Sequence, residues 1–197
     1  MRFLLALALA AFMLISGCAQ ASINEGMIGG RAYRGADAPA LTIYEYSDFE
    51  CPYCGKALPV MDELLRAYPQ ARLEFRHNPL AMHQDAFNAA IASVCAEEQG
   101  KFWQMHDVMF ANQGKLSEPD LEGHAAGIGL DMAQYRACRS SDAAAELVRE
   151  DMAEAARAGA QGTPYFVIGG SAVTGAQPAG RFRAVIDNEL AKKGQRL

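Results

Sequence analysis

The tetrapeptide Cys51-Pro52-Tyr53-Cys54 carries the clearest chemistry in the sequence. The β-branched and aromatic run 41–46 before it predicts a buried strand, and the apolar spacing after it predicts a helix. Proline suits the first position of a helix, where its missing N–H costs no hydrogen bond. The two thiols therefore lie one turn apart at a helix N-terminus, close enough to form a disulfide.

This position favours redox chemistry. Unpaired N–H groups and the positive end of the helix dipole stabilise a thiolate. A thiolate of lowered pKa is both the nucleophile and the better leaving group in thiol–disulfide exchange. We expect Cys51, at the helix tip, to be the exposed attacking sulfur and Cys54 to be the shielded resolving sulfur. Pro52 and Tyr53 carry no charge near neutral pH, so they tune the couple through geometry and N–H donation.

Glu50, directly before the motif, has two interpretations. It is a proton acceptor or a tuner of the thiolate, and its carboxylate would raise the pKa of the thiol rather than lower it. Alternatively, it is an exposed charge that favours the positive end of the helix dipole. We expect His77 and His106 to be structural.

Two other uses of a C-x-x-C pair are weaker interpretations. A zinc site needs two further ligands at comparable spacing. The sequence has no second C-x-x-C, and its four histidines form no H-x3–5-H pair. A purely structural disulfide that closes so short a loop would stabilise the fold little. We therefore predict redox use of the pair, with no metal and no cofactor.

Residues 1–17 are predicted to be a signal peptide of the lipoprotein type. Arg2 supplies the positive charge, and the apolar run 3–15 is too short to span a bilayer comfortably. The run ends in Ile-Ser-Gly-Cys, which resembles a lipobox and predicts lipidation of Cys18. An ordinary signal peptide cut slightly later is the alternative. We expect a tether over 18–38, with a short edge strand near 32–34 as the alternative for that stretch. We expect a location in the periplasm, or lipid-anchored on the periplasmic side of a bacterial membrane.

Cysteine usage agrees with export. If Cys18 carries lipid, the other four of the five cysteines are even in number. Disulfides persist in exported proteins, and Cys95 and Cys138 fall on different predicted helices. We expect a structural disulfide between them; two separate buried thiols are the alternative.

The remaining pattern predicts an α/β domain over 39–197. With 51% hydrophobic residues the chain can bury one sizeable core, and a net charge of −5 without a basic run argues against nucleic-acid binding. A second strand follows the motif helix, the pattern over about 84–158 is helical, and a hairpin and a final helix close the chain. The helices form a block inserted between two halves of a β/α fold.

Three segments together resemble the DsbA-like family of exported thiol:disulfide interchange proteins, in the thioredoxin superfamily. They are YSDFECPYC at 46–54, QGKFWQMHD at 99–107 and GTPYFVIGG at 162–170. The resemblance implies a thioredoxin fold, with βαβ and ββα halves around a central sheet and a helical insertion. It also implies that Thr163-Pro164 is a cis peptide facing Cys51, with a backbone that pairs with an extended substrate segment.

The resemblance further implies a function. Oxidised enzyme would donate the Cys51–Cys54 disulfide to cysteine-containing exported proteins through a mixed disulfide at Cys51, and a membrane partner of the DsbB type would reoxidise it. A periplasmic reductase or isomerase is the runner-up. Isomerases of the superfamily usually add an N-terminal dimerisation domain, for which the short stretch after Cys18 leaves no room, so we expect a monomer. From a different class, the pair could serve a Cu(I)-binding assembly lipoprotein.

Overall fold

The structure, a computed structural model, describes residues 23–194. The predicted signal peptide and the lipidation site at Cys18 lie outside these residues. The strands are β1 (Glu25–Ile28), β2 (Arg31–Gly35), β3 (Leu41–Ser47), β4 (Ala71–His77), β5 (Tyr165–Ile168) and β6 (Ser171–Thr174). The helices are α1 (Pro52–Ala67), α2 (Ala86–Glu97), α3 (Phe102–Ala111), α4 (Glu118–Gly127), α5 (Met132–Arg139), α6 (Asp142–Ala158) and α7 (Ala179–Lys192).

One sheet in the order β1-β2-β4-β3-β5-β6 forms the centre of the fold. β3 and β4 pair in parallel through the crossover helix α1, and β5 runs antiparallel to β3. Every residue of β4 is buried, as expected of a strand with neighbours on both edges and elements on both faces. The predicted α/β class, with a βαβ half and a ββα half, is confirmed.

The helices α2 to α6 lie between β4 and β5 in the chain and form the predicted helical block. α2 is buried along nearly its whole length, because α3, α5 and α6 surround it. Cys95 of α2 and Cys138 of α5, which are 43 positions apart in sequence, form a disulfide with Cα atoms 5.6 Å apart. This bond fastens one outer helix of the block to its central helix.

The tether predicted over 18–38 is wrong for its described part, which forms a β-hairpin. β1 and β2 pair antiparallel, and β2 continues the sheet beside β4. Gly29 and Gly30, with φ of +57° and +73°, supply the two-residue turn. The short edge strand that the sequence offered near 32–34 is present as part of β2, whereas its partner β1 was not predicted.

A buried carboxylate connects this hairpin to the rest of the protein. Asp151 of α6 is fully buried and accepts a hydrogen bond from Arg31 Nε at 2.7 Å. Its second oxygen accepts one from the backbone N–H of His77 at 3.0 Å, at the end of β4. Burial lowers the pKa of the His77 ring to about 4, so the ring stays neutral and Arg31 is the cation that Asp151 pairs with.

Removing the Cys95–Cys138 disulfide should lower the free energy of unfolding by about 3–4 kcal/mol, since the unfolded chain then regains the entropy of an open loop. The measurement is denaturant unfolding of the Cys95→Ala/Cys138→Ala variant against its parent. Both proteins should carry Cys51→Ser and Cys54→Ser, so that the redox state of the motif does not contribute. Equal free energies of unfolding would contradict the prediction.

Candidate active site

The motif lies where the sequence predicts it, at the start of α1. Cys51 is the N-cap in an extended conformation, and Pro52 is the first residue of the helix. The backbone N–H of Cys51 donates to the carbonyl of Asp48 at 3.1 Å, which closes the turn between β3 and α1. The helix therefore begins at the reactive residues themselves.

A glutamine from outside this helix fixes the turn. Gln113 Nε2 donates to the carbonyls of Phe49 and Cys51, each at 2.8 Å. Gly55 permits this approach, because a Cβ atom at that position would lie 2.7 Å from the Gln113 side-chain oxygen. The helical block thus positions the backbone at the motif as well as covering the sheet.

The two sulfurs differ less in exposure than predicted. Cys54 is fully buried, but Cys51 is also 96% buried, with a relative exposure of only 4%. The expectation of an exposed Cys51 is therefore wrong in degree. The loop before β5 covers the sulfur, since Cys51 Sγ lies 3.4 Å from the carbonyl oxygen of Thr163. The Thr163–Pro164 peptide in this loop is cis, and Pro164 is buried.

The two thiols differ strongly in acidity. A hydrogen bond from the Cys54 thiol lowers the pKa of Cys51 to about 5, helped by Thr163 and backbone N–H groups and opposed by burial. Burial, together with the neighbouring Cys51 sulfur, raises the pKa of Cys54 well above its ordinary value. In the reduced protein Cys51 is therefore the thiolate and Cys54 its hydrogen-bond donor.

Asp48 organises the approach to the motif, a role that the sequence reasoning missed. Its side chain is fully buried, and its Oδ1 accepts the backbone N–H of Glu50 at 2.8 Å. Its Oδ2 lies 2.8 Å from the backbone nitrogen of Leu80 and 2.7 Å from His83 Nδ1. Asp48 thereby joins the turn before Cys51 to the loop between β4 and α2.

Glu50 makes a second link to the same loop. Its Oε2 accepts the backbone N–H of Asp85 at 2.8 Å, and Asp85 is the residue at the start of α2. The carboxylate is thus bound at the N-terminus of α2, where negative charge is favourable. The structure shows no hydrogen bond from Glu50 to either cysteine within the described residues.

Glu45 is a further functional candidate that the sequence reasoning missed. It lies in β3, is 1% exposed, and neither carboxylate oxygen has a hydrogen-bond partner in the described part of the chain. Burial raises the pKa of Glu45 to about 7. Ser47, two residues on and hence on the same strand face, lowers the pKa of both Glu45 and Cys54. The sequence did contain a signal for Glu45, because an acidic residue stands within a run that otherwise predicts a buried strand.

These groups can carry out thiol–disulfide exchange. Cys51 provides a nucleophile and leaving group near neutral pH, Cys54 a resolving thiol, and Glu45 a buried acid that exchanges a proton in the same pH range. Between residues 23 and 194, no three His, Cys, Asp or Glu side chains cluster in a way that could hold a metal ion.

Residues 42–187 match the family described as the DSBA-like thioredoxin domain. The chain belongs to this family. A thioredoxin-like oxidoreductase from Silicibacter pomeroyi DSS-3 is similar in structure, with a TM-score of 0.77 and 28% identity over 84% of this chain and 94% of that one. DsbA2 of Pseudomonas aeruginosa has a TM-score of 0.66 and 26% identity, over 79% and 91% of the two chains. The family predicted from the motifs is confirmed, and the domain is a DsbA-type thiol–disulfide oxidoreductase.

Curated relatives include much longer proteins. The Na(+)/H(+) antiporter NhaA 1 of Salinispora arenicola is 38% identical over 165 residues, which are 83% of this chain and 25% of the antiporter. NhaA 3 of Salinispora tropica is 40% identical over 70% of this chain and 21% of its own length. The chain thus spans about a quarter of the length of the curated relatives it matches. In the described residues of this DSBA-like protein, no helix is long and apolar enough to cross a membrane.

The Cys51 thiol should titrate with a midpoint near pH 5 in the reduced protein. Because its folded pKa lies below the ordinary value of 9.0, the thiolate's contribution to stability is fully present above about pH 9 and is lost as the pH falls through about 5. Thiolate absorbance in the ultraviolet measures the midpoint. Cys54→Ala, which removes the main hydrogen-bond donor, should raise it, and Cys51→Ser should abolish the signal. A midpoint above pH 8 in the unmutated protein would contradict the assignment.

Replacing Glu45 with glutamine should raise the free energy of unfolding at pH 8 by about 2–3 kcal/mol. The folded pKa of about 7 exceeds the ordinary 4.5, so the stability that comes from protonated Glu45 is present below pH 4.5 and is lost as the pH rises through 7. Denaturant unfolding of the oxidised protein at pH 5 and pH 8 measures this. Glu98→Gln, at an exposed position, is the control and should change neither value. A Glu45→Gln variant with the unmutated pH dependence would refute the buried-acid assignment.

Proposed function

We propose that the protein is an exported oxidase that donates its Cys51–Cys54 disulfide to cysteine-containing polypeptides. The difference in acidity between the two thiols supports this most directly, because the pKa of Cys51 is lowered and that of Cys54 is raised. A stabilised Cys51 thiolate stabilises the reduced motif. Electrons therefore pass from substrate thiols to the motif, which is the direction of an oxidase.

The reaction proceeds in two exchanges. A substrate thiolate attacks the Cys51 sulfur, the Cys51–Cys54 bond breaks, and its electron pair goes to Cys54, which takes a proton. Glu45, a buried acid in the strand before the motif with a pKa of about 7, is the source of that proton. A second substrate thiolate then attacks the substrate sulfur of the mixed disulfide, and Cys51 leaves as a thiolate. The substrate has formed its disulfide, and the enzyme has gained two electrons.

Substrate docks beside the sulfur on the loop before β5. The Thr163 carbonyl lies 3.4 Å from Cys51 Sγ, so an extended segment paired with this backbone would bring its cysteine to the motif, while the buried Pro164 holds the loop. Tyr53, in the motif, and Met82, in the loop between β4 and α2, are exposed by 58% and 82%. We assign them contact with apolar stretches of an unfolded substrate, because Met82 adjoins His83 in the loop bound to Asp48.

The setting of the reaction follows the N-terminal sequence. The lipobox-like segment ending at Cys18 supports export and a lipid anchor on the periplasmic side of the membrane. A membrane partner of the DsbB type would then reoxidise the motif, and the protein would act as a monomer. The Na(+)/H(+) exchange named in the curated relatives is no part of this proposal, since the chain spans only about a quarter of their length.

The reduction potential of the Cys51/Cys54 couple tests the direction. A Cys51 pKa of about 5 lies between the values of about 7 for thioredoxin and about 3.5 for DsbA, so we expect a potential between about −200 and −120 mV. Equilibration with glutathione buffers measures it. A potential near about −270 mV would identify a reductant and would favour the alternative function, a periplasmic reductase or isomerase.

Two variants control for the identity of the activity. Cys51→Ser should abolish thiol oxidation of a reduced, unfolded protein while leaving the circular dichroism spectrum unchanged. Cys54→Ser, mixed with a protein that already carries a disulfide, should instead accumulate the mixed disulfide at Cys51. Its Cys51 thiolate attacks that bond and releases the other sulfur as a thiol, and no resolving thiol remains to free Cys51. Tight Cu(I) binding by a protein that oxidises no thiols would favour the assembly-lipoprotein alternative.

A further inference from the structure

His83 has a fixed orientation near the reactive cysteine, although it lies 32 residues after it in sequence. Its Nδ1 is 2.7 Å from Asp48 Oδ2, and the carboxylate belongs to a side chain with no exposure. The same oxygen accepts the N–H of Leu80, so the loop backbone and the ring are both bound to Asp48. The histidine side chain is 17% exposed and reaches solvent at the edge of the site.

The groups that act on the ring are acidic. Asp48, Cys51 and Glu50 all raise the pKa of His83, against the lowering effect of burial, and the net direction is upward. Asp85, in the same loop, is connected to Glu50 through its backbone N–H. A protonated His83 is therefore bound to the Asp48 carboxylate, and the negative charges of Glu50 and Cys51 also favour its charged form.

Without that cation, the buried Asp48 would disfavour the thiolate. Its carbonyl accepts the Cys51 N–H at 3.1 Å, and Asp48 lies in the turn that leads into the motif, so its carboxylate charge is held in the neighbourhood of Cys51. A like charge in a poorly solvated site raises the pKa of a thiol. Asp48 holds the turn in place with three hydrogen bonds, but its charge opposes the state of Cys51 that the reaction needs.

We propose that His83 is a positioning residue for the exchange reaction: as an imidazolium bound to Asp48, it offsets the carboxylate charge and stabilises the Cys51 thiolate. The inference rests on the proposed function in taking Cys51 as the reacting sulfur. When the mixed disulfide breaks, its electron pair goes to Cys51, and the cation stabilises this leaving group without giving up its proton. The pair Asp48–His83 thereby makes the motif a better electron acceptor at pH values where the ring is charged.

The test is the pKa of Cys51, measured by thiolate absorbance in the reduced protein. His83→Gln should raise this pKa by about 0.5–1 unit, a three- to tenfold loss of thiolate in the acid range. His83→Arg, which restores a cation, should recover part of the shift. His124→Gln is the matched control, because His124 lies on α4 and contacts the carbonyl of Lys115 rather than Asp48. A Cys51 pKa unchanged within 0.2 units in His83→Gln would overturn the proposal.

A reciprocal measurement covers the case in which His83→Gln does not fold. Linkage requires that removing the thiolate changes the pKa of His83 by the amount that His83 changes the pKa of Cys51. The imidazole titration followed by NMR should therefore fall by about 0.5–1 unit in reduced Cys51→Ser relative to the unmutated protein. An unchanged His83 titration would overturn the inference.

The two proposals fail separately. A thioredoxin-like potential together with a shifted Cys51 pKa in His83→Gln would refute the oxidase and retain the role of His83. An oxidising potential with no effect of His83→Gln would retain the oxidase and refute the role of His83.

Discussion

The carboxylate of Asp48 is the interaction on which the reactive end of this protein depends. It is fully buried and accepts from Glu50, Leu80 and His83, which belong to two segments that β4 and α1 separate in the chain. With three partners, the Asp48 carboxylate is satisfied. Without the carboxylate, each of these donors would lose its acceptor, and each donor left unpaired would destabilise the fold by about 1–3 kcal/mol. The turn before Cys51 and the loop before α2 therefore keep their places together or lose them together.

Two ionisable groups assigned to the reaction, Cys51 and Glu45, both lie where burial disfavours their charged forms. The Cys51 thiolate is almost covered, and Glu45, in the strand before the motif, is buried with no hydrogen-bond partner in the described residues. The hydrogen bond from Cys54 compensates for the burial of the Cys51 thiolate, and protonation compensates for the burial of Glu45. The free energy that the fold gives up at Glu45 supports proton exchange near neutral pH, a trade of stability for activity that is common at enzyme sites.

Local pattern was enough to predict the elements that carry the motif. β3, α1 and the helical block show their periods in the residues themselves, and the motifs identified the family and hence the position of Thr163 and Pro164. In the N-terminal segment the sequence offered only a short edge strand near 32–34. Its pairing with β1, and the bond from Arg31 to Asp151 120 residues away, could not be inferred from local pattern. The sequence did not predict the roles of three residues, because these roles depend on contacts or burial that exist only in the folded chain. They are Asp48, His83 and Glu45. The exposure of Cys51 was overestimated because a loop distant in sequence covers it.

Because the β1–β2 hairpin is part of the sheet, the folded domain begins before residue 39, the start predicted from the sequence. A fragment starting at residue 39 would retain each residue assigned to the reaction, yet it would lack the strand that pairs with β4. β4 would then become an edge strand of seven buried residues, with unpaired N–H and C=O groups open to pairing with another chain. Asp151 would lose its cation and remain a buried, uncompensated charge. We therefore expect the N-terminal hairpin to protect the edge of the sheet against pairing with another chain.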